Sequence, residues 1–404
     1  MNDFNISQVA TIVNNIAEQM TGQKAITQIT NAADFIAVAQ TLLKTGYDPV
    51  INAISQVFSR SIFSFRDYNS PLNSLYMDAP RWGNAVRKLS PVAMEAVNNQ
   101  EFEYPVAYSS AQAQQANPYG DGLSVDHYKI NKQKVLQTNF YGSATYAQRY
   151  TIFKDQFEVA FTSPEEFGRF TAMLAAERKN DRETYKESLA RGLQASFIGA
   201  LFAENKAERI VHLLTEYNTV TGLELTAATV YQPENFAPFM RWAYARIKTI
   251  ARLMANRSAM FQTQITGKTI LRHTPADRLR IAIFSPVLEQ MDAMVLSTTF
   301  NDEYFENATI EGVDYWQSIQ TPDAINVVPV YTNANGALTT GAAQNKTKIF
   351  GLIHDKDALG YSDVNNWAAV TPLNIDGGYW NEAHHTRFKS MLDNTEKAVV
   401  LVLD

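Results

Sequence analysis

Apolar residues recur three and four positions apart at both ends of the stretch from Ser163 to Glu204, at Phe167, Phe170 and Leu174, then at Tyr185, Leu189, Leu193, Phe197 and Leu201. Between them ERKNDRET (177–184) is polar on every side. This spacing predicts one uninterrupted helix, with Ser163 as N-cap, Pro164 at the first helical position and Glu166 completing a capping box. At 1.5 Å per residue such a rod is about 60 Å long. It has no sustained heptad, which argues against a dimerisation coil. Apolar ends around a polar middle describe a strut whose centre crosses solvent or a polar interface. Lys179–Glu183 and Glu187–Arg191 stand at the spacing of i,i+4 ion pairs.

The same reading places other elements. Residues 4–20 and 32–57 have helical spacing, for example at Phe35, Ala39, Leu42 and Leu43. From Phe58 to Pro91 the chain is aromatic and basic, with turn signals at Asn69-Ser70-Pro71 and Ala79-Pro80, and reads as an extended arm that needs another surface. SSAQAQQANPYGDG, near the middle of 101–131, is close to low complexity and predicts a loop or the tip of a long hairpin. KQKVLQTNFYGSATYAQRYTIFKDQFEVAF (132–161) looks extended and rich in Tyr, Phe and Thr. PENFAPFMRWAYARIKTIARLMANRS (233–258) repeats apolar residues at Phe239, Ala243, Ile247, Ile250 and Met254, an amphipathic helix.

LRIAIF (279–284) reads as a buried strand running into a second Ser-Pro helix start, SPVLEQMDAMVLSTTF (285–300). INVVPVY (325–331) and KIFGLI (348–353) are further strands. The tail predicts a long hairpin around Asn374–Gly378 and a buried strand over 397–403. No internal repeat is evident. The sum is an α+β chain with a helix-and-sheet body and two long excursions.

Composition narrows the chemistry. A chain of 404 residues has length for two or three domains, and 46% hydrophobic against 19% charged residues is a globular balance. The net charge of −6, from 35 basic and 41 acidic residues, argues against duplex binding through a broad basic face but leaves room for a local patch. There is no cysteine; disulfides, thiolate metal sites and cysteine nucleophiles are excluded. The N-terminus MNDFNISQVATIVNN lacks the basic start and apolar core of a signal peptide, and no apolar run is long enough to cross a bilayer, so synthesis in the cytosol is expected.

Candidate chemistry is thin. TGKT (266–269) resembles the end of a phosphate-binding loop, but Gln262 stands where glycine is required. His384 and His385 are adjacent, point to opposite faces of a strand and cannot chelate one metal. In HDKD (354–357), His354 and Lys356 share one face, while Asp355 and Asp357 share the other at a spacing that suits a divalent cation with outside help. Exposed turn acids explain that pair more simply. G-x-S-x-G, H-E-x-x-H and G-x-G-x-x-G do not occur. No catalytic residue, cofactor site or metal site is predicted, and the chain does not read as an enzyme.

The order of elements resembles the major capsid proteins of tailed bacteriophages, built on the Hong Kong 97 coat fold, and in particular those of small short-tailed phages. The resemblance is carried by TNFYGSATYAQRYTIFKDQFEVAFTSPEEFGRF (138–170), LRIAIFSPVLEQMDAMVLSTTFN (279–301) and GGYWNEAHHTRFKSMLDNTEKAVVLVLD (377–404). It implies an N-terminal arm over 1–79 that reaches onto a neighbouring subunit, an E-loop with flanking strands over 80–160, and the spine helix of a peripheral domain over 161–204. It further implies an axial domain over 205–363, and a P-loop hairpin with the C-terminal strand of the peripheral domain over 364–404. Helices within 4–57 depart from the simplest pattern and suit an arm, a scaffold-like extension or an added surface feature.

On this resemblance the protein is a structural subunit that assembles into hexamers and pentamers of an icosahedral head around double-stranded DNA. The virion is its destination, after assembly in the host cytoplasm. Expected partners are copies of itself, a scaffolding protein, a portal and accessory head proteins, with no sequence-specific DNA contact and no membrane. Subunit contacts are expected along the E-loop return strand, at Phe140, Tyr146, Tyr150 and Phe153. No Lys–Asn cross-link pair is identified. Two rivals stand beside this reading. An encapsulin-type shell would differ in its contents, and an α+β enzyme or carbohydrate-binding protein would remain a small oligomer.

Overall fold

A computed structural model of the chain describes residues 71–77, 85–94, 128, 130, 132–141, 143–155, 164–291 and 308–404. The helices expected within 4–57, the arm up to residue 70, the loop SSAQAQQANPYGDG, the Ser163 cap and the second Ser-Pro helix beyond residue 291 lie outside the described residues.

In chain order the elements are strands β1 (Ala85–Pro91), β2 (Val135–Tyr141) and β3 (Ala144–Phe153), then helix α1 (Pro164–Glu204). Strand β4 (Ile210–His212) and helices α2 (Leu213–Thr221) and α3 (Pro233–Ala255) follow. Next come β5 (Leu279–Phe284), β6 (Thr309–Val313), β7 (Ile325–Val327), β8 (Val330–Thr332), β9 (Leu338–Thr340) and β10 (Gln344–Lys346). The chain closes with β11 (Ile349–Asp355), β12 (Leu359–Val370), β13 (Tyr379–Leu392) and β14 (Ala398–Val402). INVVPVY, read as one strand, is divided into β7 and β8 around Pro329, whose missing N–H cannot join a ladder.

LRIAIF, IFGLIHD and AVVLV are near-continuous apolar runs, the signature of strands covered on both faces. They form the centre of a five-stranded sheet in the order β4-β14-β11-β5-β6. Side chains alternate across it. Ala398, Val400 and Val402 join a core with Ala190, Ala195, Phe197, Ile198 and Leu201 of α1. Val399 and Leu401 join another with Leu213, Leu214 and Tyr217 of α2 and Phe239, Ala243, Ile247, Ile250 and Met254 of α3. All five apolar positions that predicted α3 are therefore buried.

Strand β14, which the resemblance places in a C-terminal segment beside 205–363, lies between β4 and β11, inside the sheet built by that segment. β12 also runs across the expected boundary at 363/364. A buried strand needs two neighbours, and the apolar edges available were β4 and β11.

The second sheet has the order β12-β13-β3. It contains the hairpin around Asn374–Gly378, where Gly378 takes φ +60. The 41-residue helix α1 spans both sheets. Its last half is buried in the first core; Gly199 sits where a Cβ would come within 2.4 Å of Val327 Cγ2, so any larger residue there would force Val327 to move. The helix ends at Asn205 in the left-handed region (φ 50), an ordinary C-terminal stop. Its polar middle lies on the second sheet, where Arg178 pairs with Glu382 and Arg182 with Asp363. Glu187–Arg191 forms as the spacing predicts, and Glu183 pairs with Lys186 at 2.8 Å.

Residues 71–77 belong to the expected arm, but they fold onto their own subunit. Leu72 and Leu75 enter the α1 core, the Met77 N–H donates to Tyr361 O at 2.8 Å, and the Ser74 hydroxyl donates to Glu311 at 2.6 Å.

His354, on β11, is buried edge-on against Phe197 and donates Nδ1–H to the Asp355 carbonyl at 2.8 Å. Burial pulls its pKa from 6.5 down to about 4. The unfolded chain therefore binds a proton that the folded one refuses between those values, and stability rises with pH across that window. The unassembled subunit should be about 2 kcal/mol less stable at pH 5 than at pH 7 by urea unfolding. His354→Gln should flatten that difference, and an undiminished drop in the variant would assign it to other groups.

Candidate assembly surface

β1 and β2 form a two-stranded antiparallel ribbon with Val86 opposite Phe140, Lys88 opposite Thr138 and Leu89 opposite Gln137. Alternation gives it two unlike faces. Val86, Lys88, Ser90, Leu136, Thr138 and Phe140 are half-buried or buried, whereas Arg87, Leu89, Pro91, Val135 and Gln137 are exposed. Leu89 at 55% and Val135 at 58% leave large apolar side chains open on the outer face of a ribbon that, among the described residues, pairs with no third strand. Tyr128 and Ile130, on the approach to β2, are more exposed still.

The root of the ribbon is fixed by charge. Lys88 Nζ reaches Asp393 at 2.7 Å and Glu396 at 2.5 Å, and Arg272 pairs with Glu396. These acids belong to the turn joining β13 to β14, whose residues Asp393, Asn394, Thr395, Glu396 and Lys397 are all buried. The Asn394 side chain accepts the Thr332 N–H at 2.9 Å and donates to Thr332 O at 2.8 Å and to Glu204 at the end of α1. Arg209, fully buried, bonds Glu204 at 2.6 Å and the Asn394 carbonyl at 2.8 Å. Lys397 donates to the carbonyls of Met254 and Asn256 at 3.1 and 2.6 Å, capping the negative end of α3. Burial pulls the Lys397 ammonium down to about 8. For Asp393, burial pushes the carboxyl up, but Lys88, Thr395 and Arg272 outweigh it and the net shift is downward.

The four residues expected at contacts part company here. Tyr146 and Tyr150 turn toward the subunit's own α1: the Tyr146 ring lies 4.3 Å from Tyr185, and Tyr150 donates to Asp181 at 2.8 Å with Arg178 over its ring. Phe140 is half-buried on the inner ribbon face opposite Val86. Phe153 is 48% exposed, edge-on to Tyr379. Strand alternation predicts that Tyr146 and Tyr150 share a face but not which neighbour covers it.

The rejected motifs also have places. TGKT is an exposed turn closed between Ile265 and Lys268, and Gln262 is buried, donating to Ile270 O. His384 bonds Glu382 at 2.6 Å on the α1 face, while His385 stacks on Trp367 on the other. In HDKD, Asp355 is buried rather than an exposed turn acid, bonded by Thr274 at 2.8 Å and paired with Arg278, which also takes Asp357. The Arg278 guanidinium thus occupies the place a divalent cation would take between the two carboxylates. Among the described residues no group of three or more His, Asp or Glu could hold a metal, and no helix is long and apolar enough to cross a membrane.

The missed feature is the buried turn. LDNTEK reads as a solvated loop, and its only sequence signal is that it runs directly into the apolar strand AVVLV.

The architecture is that of phage coat proteins. A chain of the capsid of Staphylococcus phage Andhra superposes with a TM-score of 0.50 at 9% identity, over 85% of this chain and 87% of that one. A chain in the structure of the head fibre and inner core protein gp22 of native bacteriophage P68 gives 0.50 at 9%, over 85% and 86%. At that identity the likeness establishes the fold, the α+β coat fold of Hong Kong 97 type. No curated protein matches. The family model described as Phi29-like phage major capsid protein matches residues 9–402, so the chain belongs to that family. It is a structural capsid subunit of a bacteriophage, its place is the virion, and its family is not one of enzymes.

Removing the ribbon's anchor tests the geometry. Lys88→Met leaves Asp393 and Glu396 short of a cation, a loss worth about 3 kcal/mol for a buried pair. Amide exchange in 85–91 and 135–141 should accelerate at least about tenfold while β11 and β14 keep their protection. Equal loss of protection in both would mean that Lys88 supports the whole core and not the ribbon alone.

Proposed function

We propose that this subunit assembles into hexamers and pentamers that close into an icosahedral head around double-stranded DNA. The observation that carries the reading is the β1–β2 ribbon, which is fixed at its root by Lys88 yet exposes Leu89 and Val135 on its outer face. Such a face finds cover on a neighbouring copy, and each weak contact is repeated around a closed shell.

In this reading residues 80–160 are the E-loop with its flanking strands, the ribbon forming its base, and α1 is the spine helix. The sheet β12-β13-β3 with the first half of α1 forms the peripheral domain and carries the P-loop hairpin. The five-stranded sheet with α2 and α3, including β14, forms the axial domain. Residues 1–79 are the arm, of which 71–77 fold onto their own subunit. Contacts to neighbours run through the outer ribbon face and Phe153, with Phe140 at its margin; Tyr146 and Tyr150 support the strand from inside. A scaffolding protein, a portal and accessory head proteins join during assembly in the host cytoplasm.

The test is assembly against folding. Leu89→Asp with Val135→Asp should abolish closed particles in negative-stain microscopy of cells expressing the chain with its scaffolding partner. The far-ultraviolet spectrum and unfolding midpoint of the purified subunit should stay near the parent's, because both positions are already exposed. Normal shells from the double variant would remove the ribbon from the interface.

A further inference from the structure

Strands β8 and β9 form a second two-stranded ribbon, which among the described residues pairs with no third strand. Val330 stands opposite Thr340, Tyr331 opposite Thr339 and Thr332 opposite Leu338. Alternation puts Tyr331 and Thr339, both half-buried, on one face, and Val330, Thr332, Leu338 and Thr340 on the other. Val328, two positions before Val330, is exposed as well, while Pro329 between them is buried. Large aliphatic side chains are thus open in this outer row, Val328 at 59%, Val330 at 41% and Leu338 at 76%. The ribbon that carries them is firmly held. The Asn394 side chain bonds both backbone groups of Thr332. The Gly341 N–H donates to Pro329 O at 2.8 Å, and a Cβ on Gly341 would come within 3.0 Å of the Ala203 Cβ on α1. At the tip, the Asn333 side chain accepts the N–H groups of Asn335 and Ala337 at 2.9 and 3.1 Å. Charge is missing from this stretch. Between Asp314 and Lys346 only Asp323 is charged, in a chain that is 19% charged. Asp323 is half-buried and accepts the Lys348 N–H at 3.1 Å, and Lys346 lies over the Phe202 ring at 5.0 Å. Lys268 is exposed on the adjoining turn, whose Thr266 N–H donates to Ala334 O beside the hairpin tip.

We propose that the outer face of the β8–β9 ribbon is a permanent contact with a second copy of this chain; the inference rests on the coat reading above and adds an interface beside that of the β1–β2 ribbon. Two copies that each carry a net charge of −6 repel one another, and a face without charge is where they approach at least cost. A partner that later leaves, such as a scaffolding protein, meets a surface about as apolar as the rest, whereas the core of a permanent interface is depleted of charge. The β8–β9 face has the second character, with Lys268 as a polar rim. Both ribbons are rooted on adjacent residues of one buried turn, Asp393 for the first and Asn394 for the second, so their outer faces keep a fixed mutual position in every copy. The face is small beside the roughly 800 Å² that each partner of a stable complex buries. It therefore acts through repetition around a shell and not by pairing free subunits.

The experiment uses the full chain, expressed with its scaffolding partner, and has two arms. In the first, Leu338 is replaced by the photoreactive p-benzoylphenylalanine, particles are irradiated, and cross-linked peptides are identified by mass spectrometry. A species of two coat chains joined through position 338 is expected from particles and not from free subunits. Cross-links confined to one chain, or made to the scaffolding or an accessory protein, would overturn the proposal and name the true occupant. In the second arm, Val330→Asp with Leu338→Asp should lower the yield of closed particles in negative-stain microscopy at least about tenfold. The unfolding midpoint of the purified variant should stay near the parent's, because both positions are exposed. Val220→Asp with Met260→Asp places the same charge on exposed apolar positions elsewhere and should leave the yield near the parent's. An undiminished yield in the β8–β9 variant, or an equal loss in the control, would also overturn the proposal. Should the β8–β9 variant fail to fold, the cross-linking arm decides alone. A parent chain that builds no shells under any condition would sink the coat reading, and this inference with it; a β8–β9 variant that builds them as the parent does would sink this inference only.

Discussion

Asp393, Asn394, Thr395, Glu396 and Lys397 are five consecutive polar residues buried at the point where β13 leaves one sheet and β14 enters the other. Burying such a run is tolerable only if every donor, acceptor and charge is met. Here the partners come from several elements: Asp393 and Glu396 take Lys88 of the ribbon, Asn394 takes α1 and β8, Thr395 and Glu396 take Arg272, and Lys397 takes the end of α3. Desolvation offsets most of the Coulomb attraction in a cluster of this kind, so its net stabilisation is small. What it supplies is geometry. A displaced ribbon, helix end or strand leaves an unmatched buried charge, and only one mutual arrangement avoids that.

α1 applies the same division along its length. Its last turns are held by apolar packing, which is strong but indifferent to small rotations. Its middle is held by Arg178–Glu382 and Arg182–Asp363, which are weak in net energy but specific in direction. The helix is therefore fastened at one end and aimed at the other. A coat subunit needs that combination, because an angular error at one interface is repeated at every copy of it around a closed shell.

Much of this was legible in the amino-acid order. The bounds of α1, the buried face of α3 and the strands β5, β11 and β14 follow from periodicity and from Ser-Pro punctuation, which are local signals. Tertiary choices were not legible. Nothing in AVVLV says that it pairs with β4 and β11, because any apolar edge satisfies such a strand. Tyr146 and Tyr150 alternate correctly, yet whether their face meets α1 or another subunit depends on how the helix that follows lies against the strand. Asp355 looks like a turn acid until Arg278, far off in sequence, is placed beside it. LDNTEK reads as solvated because burial of a polar run depends wholly on partners drawn from the rest of the chain.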